Sequence, residues 1–249
     1  MFVKGGHPYQ GYSVGIMKFE GKLYPMLPGD VGNATSYPFQ VLIREIPGLI
    51  DNPYPPLTDD RGRYTEVVQK CIEAAQQLEK DGVRCIAMCC GFFSLIQPVI
   101  AAAVSIPVLT SPLIMIPIMH QMLQPHQSVV VVTAAKKLLS SEFFSAVGVN
   151  LDDRVVVAGL DDSVTFNSMC MGATGITMES DDLRDDVVNG VLAAMETDKN
   201  IGAVLLECTA LPPFAADVQE QTGLPVFDFI ACVEWMQRAV ITKRYSGFI

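Results

Sequence analysis

The strongest constraint on this chain is an internal repeat. In the first half, a helical pattern over Tyr64–Lys80 leads through Gly82 into an apolar strand, Val83–Cys89. Cys90 follows, then a helix, then Pro107-Val108. In the second half, Leu183–Thr197 leads through Asn200 into the strand Ile201–Glu207; Cys208 follows, then a helix, then Pro225-Val226. Cysteine and proline stand 17 positions apart in both halves, and the two cysteines are 118 apart. The strands near Gly15 and near Thr133 share that offset of 118. One matched spacing would mean little. Helix, turn, strand, cysteine, helix and Pro-Val strand in the same order imply two lobes built on one plan.

Strand patterns alternate with helical ones throughout. Further strands are read at Ser13–Met17, Phe39–Ile46, Val108–Thr110, Ser128–Thr133, Arg154–Leu160 and Val226–Phe229. Further helices are read from about Ser94, from about Leu113, over Lys136–Ala146 and Pro212–Thr222, and from Ala231 to Lys243. Several strands are apolar on both faces, which is the pattern of parallel sheet covered by helices on each side. The expected fold is α/β: two pseudo-symmetric βα lobes, each a mostly parallel sheet under helices, with the active site in the cleft between them. The boundaries read as lobe 1 at 1–118, with a C-terminal helix at 230–249 packing back on it, and lobe 2 at 119–229. Gly5–Gly11 and Asp51–Asp60 are rich in turn formers and read as loops.

Composition removes several classes of function. The net charge of −10 argues against a nucleic-acid partner, which needs a basic surface. A small anion remains possible, because one local positive field can override the net charge. From Cys85 to Ala135 there is no Asp, Glu, Lys or Arg. Pro98, Pro107, Pro112, Pro117 and Pro125 nevertheless cut that stretch into pieces of strand or helix length, so no membrane span is expected. Met1–Gln10 has no apolar core of a signal peptide. The 7 cysteines then read as free thiols in a reducing cytoplasm. Their spacing, with three scattered histidines, matches no zinc pattern, and no phosphate loop or dinucleotide glycine pattern is present.

Two cysteines stand out by position. Cys90 and Cys208 each lie where a strand ends and a helix begins, the edge at which open parallel sheets bind ligands. The free N–H groups of a helix start favour a carboxylate there and also favour a thiolate. Facing each other over one cleft, a thiolate and a thiol could take a proton from one side of a carbon and return it from the other. A free cysteine usually just packs, and that is the reading for Cys71, Cys85, Cys170 and Cys232. Cys89 adjoins Cys90 and, by strand alternation, should point to the opposite face and into the core.

The residues also resemble a known family. Glu207-Cys208-Thr209-Ala210-Leu211-Pro212, with Gly223-Leu224-Pro225-Val226-Phe227-Asp228, is similar to the second cysteine motif of the aspartate/glutamate/hydantoin racemase superfamily. Cys90-Gly91-Phe92 resembles the first cysteine motif of one branch, and Pro28–Thr35 its N-terminal substrate loop. The resemblance runs from about Ser13 to Glu234. It implies two pseudo-symmetric lobes, catalysis without a cofactor or metal, and a homo-oligomer. It further implies that Asn33, Thr35, Gly91, Phe92, Thr133 and Thr209 hold a small carboxylate substrate beside catalytic Cys90 and Cys208. The chain departs from many amino-acid racemases in having Cys-Gly-Phe for Cys-Asn-Thr, and Glu for Gly before the second cysteine. The leading expectation is a racemase or epimerase moving the α-proton of an amino acid or related carboxylate. The rivals are a lyase, decarboxylase or cis–trans isomerase using the same cysteines, and a non-catalytic small-ligand binder in the cleft.

Overall fold

A computed structural model describes residues 6–21, 24–49, 61–151, 154–170 and 177–248. The predicted loop Asp51–Asp60 lies outside these residues. The first sheet holds β1 (Val14–Phe19), β2 (Val41–Ile46), β3 (Cys85–Met88) and β4 (Val108–Leu109) in the order β2-β1-β3-β4. The second holds β5 (Ser128–Thr133), β6 (Val155–Gly159), β7 (Ile201–Leu206) and β8 (Val226–Asp228) in the order β6-β5-β7-β8. Every neighbouring pair is parallel. The two halves therefore share one topology, strand for strand. The lobes are α/β, as the alternation of patterns required.

Helix α1 (Arg61–Asp81) joins β2 to β3, α2 (Gln97–Ala103) joins β3 to β4, and α3 (Ile116–Met122) leads into β5. In the second half come α4 (Ser141–Ser145), α5 (Val164–Cys170), α6 (Ser180–Thr197), α7 (Ala215–Thr222) and α8 (Phe229–Val240). Helix α1 buries Val67, Cys71, Ala74, Ala75 and Leu78 along one stripe, at the spacing the sequence predicts. Among the described residues no helix is long and apolar enough to cross a membrane.

The valines of β5 explain why its sequence shows no alternation. Val129 and Val131 face a core shared with the first sheet, while Val130 and Val132 face a second core under α6. In β7, Ala203 and Leu205 take the first side, Val204 and Leu206 the second. A strand buried on both faces needs apolar residues at every position. The shared core continues into α8 through Phe229, Cys232, Val233 and Met236. It is pinned across the lobes by an edge-to-face contact of Phe92 and Phe143, whose centroids are 5.3 Å apart.

Three sequence expectations need correction. The helix expected over Lys136–Ala146 is a 3-10 turn, Lys136–Leu138, followed by short α4. The Asp161 carboxylate accepts the N–H groups of Lys136 and Lys137, and Ser140 is extended, so the helix restarts after it. Helix α5 was not expected from its Val-Thr-Phe-Asn-Ser run, which is poor in helix formers. Ser163 Oγ accepts the Phe166 N–H and starts it. Finally, the offset between β1 and β5 is not 118. Met17 pairs with Met88 and Val132 with Leu206, so Met17 and Val132, 115 positions apart, are the equivalent residues. The second half holds three more residues between its first and third strands than the first half does. Gly15 therefore corresponds to Val130, and Thr133 to Lys18.

Candidate active site

With the register corrected, the ends of the central strands can be superimposed. The Cys89 N–H donates to Met17 O at 2.7 Å, and the Glu207 N–H donates to Val132 O at 2.9 Å. Cys89 thus matches Glu207, and Cys90 matches Cys208. Each cysteine of the second pair lies two residues beyond its strand, after Met88 and after Leu206. The turns after the two cysteines differ from the expected helix starts. Cys90 is the extended residue before a 3-10 turn, Gly91–Ile96, whereas after Cys208 the helical turn begins only at Pro212.

Both cysteines line one cavity of about 40 Å³ between the lobes, room for a few water-sized groups. The first half contributes Lys18, Phe19, Tyr24, Met26, Cys89 and Cys90; the second contributes Met169, Cys208, Thr209 and Ala210. The thiols are reduced, Cys90 buried and Cys208 half-buried. Lys18 places a cation in the cavity wall of a chain whose overall charge is −10.

The loop between β1 and β2 crosses to the second lobe and roofs this cavity. The Val31 N–H donates to Thr209 O at 3.2 Å. Gly29, with φ +105, lies so close to Pro213 that a Cβ would sit 2.8 Å from the Pro213 Cα and N. Only glycine combines that dihedral with that approach. Within the loop, Tyr24 Oη donates to Asp30 Oδ2 at 2.8 Å and the Gly32 N–H to Oδ1 at 2.7 Å. Burial pushes the Asp30 carboxyl up to about 6, against the opposing hydrogen bonds and the Lys18 charge.

The site residues read from the sequence separate into four groups. Cys90, Cys208 and Thr209 meet in the cavity. Gly91 and Thr133 lie beside it, against Glu207: Thr133 Oγ1 donates to Glu207 Oε2 at 2.8 Å. Phe92 packs across the lobes on Phe143. Asn33 and Thr35 stand in the roofing loop, where the Asn33 amide oxygen accepts both the Thr35 N–H and the Thr35 hydroxyl, and its NH₂ donates to Met26 O. Cys89 lies in the core, as expected, but it does not turn away from the site. Met88 is the last strand residue, so alternation no longer governs Cys89, which lines the cavity within hydrogen-bond reach of the Thr209 side chain. Burial, then the Asp30 charge, pushes its thiol well above the usual range. Cys71, Cys85 and Cys232 are buried, as expected of packing thiols.

Sequence reasoning missed Lys18, Tyr24, Met26, Met169 and Ala210. For Lys18 a signal existed. It sits where Thr133 sits in the second half, and only the slip in matching β1 to β5 concealed it.

The Asp/Glu/Hydantoin racemase family matches this chain over residues 45–236. The chain belongs to that family. Dimethylsulfoniopropionate lyase of Durusdinium sp. clade D is 29% identical over 240 residues, covering 94% of this chain and 77% of that protein. Dimethylsulfoniopropionate lyase 6 of Emiliania huxleyi is 31% identical over 243 residues, covering 94% of this chain and 61% of its own length. Among solved structures, unliganded arylmalonate decarboxylase is similar in fold, with a TM-score of 0.57 at 13% identity over 92% of each chain. Enzymes of this scaffold thus carry lyase, decarboxylase and racemase names.

Proposed function

We propose that this protein is a cysteine-dependent lyase that removes the α-proton of a small carboxylate and expels a group from its β-carbon, with dimethylsulfoniopropionate as the leading substrate. The observation that carries the reading is the meeting of Cys90, Cys208 and Lys18 in one cavity between the lobes. The lysine, whose ammonium here holds Glu45 Oε1 at 3.2 Å, is the counter-ion that a substrate carboxylate would share or take over. A thiolate at Cys90 or Cys208 takes the proton from the carbon next to it. The C–H electron pair becomes the new C=C bond, and the C–S pair leaves on sulfur as neutral dimethyl sulfide, with acrylate the other product. No electron-sink cofactor is required, because the sulfonium is itself the electron sink. In the same cavity, the Tyr24 ring backed by the Asp30 carboxyl, with Met26 and Met169, offers a cation-accepting, apolar surface.

Racemisation is the second reading, supported by the pseudo-equivalent placement of Cys90 and Cys208. It needs both thiols to exchange protons with carbon, whereas elimination needs one base. The relatives named as lyases favour elimination. Incubation with dimethylsulfoniopropionate should release dimethyl sulfide and acrylate in equal amounts, read by headspace gas chromatography and proton NMR. Parallel incubations with single-enantiomer amino and hydroxy acids in deuterated water test the alternative. Deuterium at Cα with loss of optical activity, and no dimethyl sulfide, would replace elimination by racemisation.

A further inference from the structure

Two departures of this chain from many racemases, glycine after the first cysteine and glutamate before the second, meet in space. A Cβ at Gly91 would lie 2.0 Å from Glu207 Oε1, 2.5 Å from its Cδ and 2.4 Å from its carbonyl O. A side chain at 91 and this carboxyl exclude each other. The contact joins the residue after Cys90 to the residue before Cys208, so it ties the two half-sites together. Glu207 is fully buried. Thr133 holds Oε2, while Oε1 has no hydrogen-bond partner among the described residues. A buried carboxyl oxygen left in this state is costly and calls for a role. The elimination step does not use it, and it does not line the cavity.

We propose that Glu207 is a positioning residue: seated on Gly91 and held by Thr133, its carboxyl sets the spacing of the Cys90 and Cys208 turns and the charge beside the two thiols. Burial raises this acid to about 7, with the Thr133 hydrogen bond opposing, so the carboxyl is protonated below neutrality. The ionisable groups nearest along the chain are Cys90, next to Gly91, and Cys208, next in its own chain; Cys89, Lys18 and Tyr24 line the adjoining cavity, and Asp30 is bonded to Tyr24. An ionised Glu207 disfavours a second negative charge on Cys208 and raises its thiol pKa. Loss of the carboxyl bulk lets the turns shift.

The catalytic half of this proposal rests on the two-cysteine reading; the thiol half does not, and can be measured without turnover. The test is the rate of iodoacetamide alkylation at Cys208 in the intact protein between about pH 6 and 9, read by peptide mass spectrometry in wild type, Glu207→Gln and Glu207→Ala. The amide keeps the shape and the Thr133 bond but never ionises. Above neutrality, E207Q should react up to about tenfold faster than wild type, its profile moved down by about one unit. With dimethylsulfoniopropionate as substrate, E207Q should move the rising limb of activity to lower pH at unchanged KM, and E207A should lose about a hundredfold in kcat. An E207Q alkylation profile that superimposes on wild type removes the charge role. An E207A protein with wild-type kcat removes the spacing role. If wild type turns over no dimethylsulfoniopropionate, the proposed function fails, and the alkylation profile still decides on Glu207.

Discussion

Six cysteines have described side chains, and burial alone does not single out the pair, because Cys90 is buried as those that only pack are and only Cys208 is half-buried. Position separates them. Cys71, Cys85 and Cys232 lie within helices or strands, while Cys89, Cys90 and Cys208 lie past strand ends at the cavity. Replacing Cys90 or Cys208 by serine nearly keeps volume and removes the acidic thiol. The change at whichever cysteine is the base should lower kcat for the elimination by about 10²–10⁴-fold, the usual contribution of a general base, and the other change should cost less. Melting temperatures should stay within a few degrees of wild type, since a thiol-to-hydroxyl change leaves the packing intact. Full activity in both single mutants would dismiss thiol catalysis. The candidate pair was legible because the repeat marks it; Lys18 was hidden only by the slip in matching β1 to β5, and Tyr24, a tyrosine in a loop, has no periodicity to betray it.

At the scale of elements, strands and helices were legible wherever one force dominated. Strands β5 and β7 are apolar at nearly every position because both faces are covered, and α1 carries a clean stripe. The failures lie where local hydrogen bonds overrule pattern: Asp161 breaks the helix expected at Lys136, and Ser163 starts one where propensity is low. The loop over the cavity belongs to this class. Its position depends on Gly29, which combines φ +105 with contact to Pro213. Gly29→Ala should cost about 1–3 kcal/mol in stability. Because Tyr24 and Met26 ride on the same loop, KM should rise more than kcat falls; steady-state kinetics with a urea melt would check both. A variant with wild-type KM would show that the loop does not hold substrate.

For the whole molecule, the cleft stores two buried acids, Asp30 raised to about 6 and Glu207 to about 7, both chiefly by burial. Asp228 is shifted in the same direction, again mainly by burial. Unfolded carboxyls titrate near 4, so between about pH 4 and pH 7 the folded protein binds more protons than the unfolded chain. Stability from these groups is complete below the unfolded pKa and is lost as pH rises through the folded values. One unit is about 1.4 kcal/mol, which puts the combined loss on the order of a few kcal/mol by pH 8. Urea midpoints should therefore fall from pH 5 to pH 8, and Glu207→Gln should flatten part of that slope. A midpoint that rises across the range would contradict this assignment of buried neutral acids.

By itself the sequence determined the two-lobe α/β plan and the parallel sheets, and it singled out Cys90 and Cys208 as the candidate pair. All of these follow from periodicity and repetition along the chain, which burial and chain geometry impose locally. Tertiary structure alone decided the register of β1 against β5, the turn of Cys89 into the cavity and the entry of Lys18 and Tyr24. It also decided the contact of Gly91 with Glu207. These depend on how far one lobe's turns approach the other's, a distance between residues more than a hundred positions apart that no local pattern encodes.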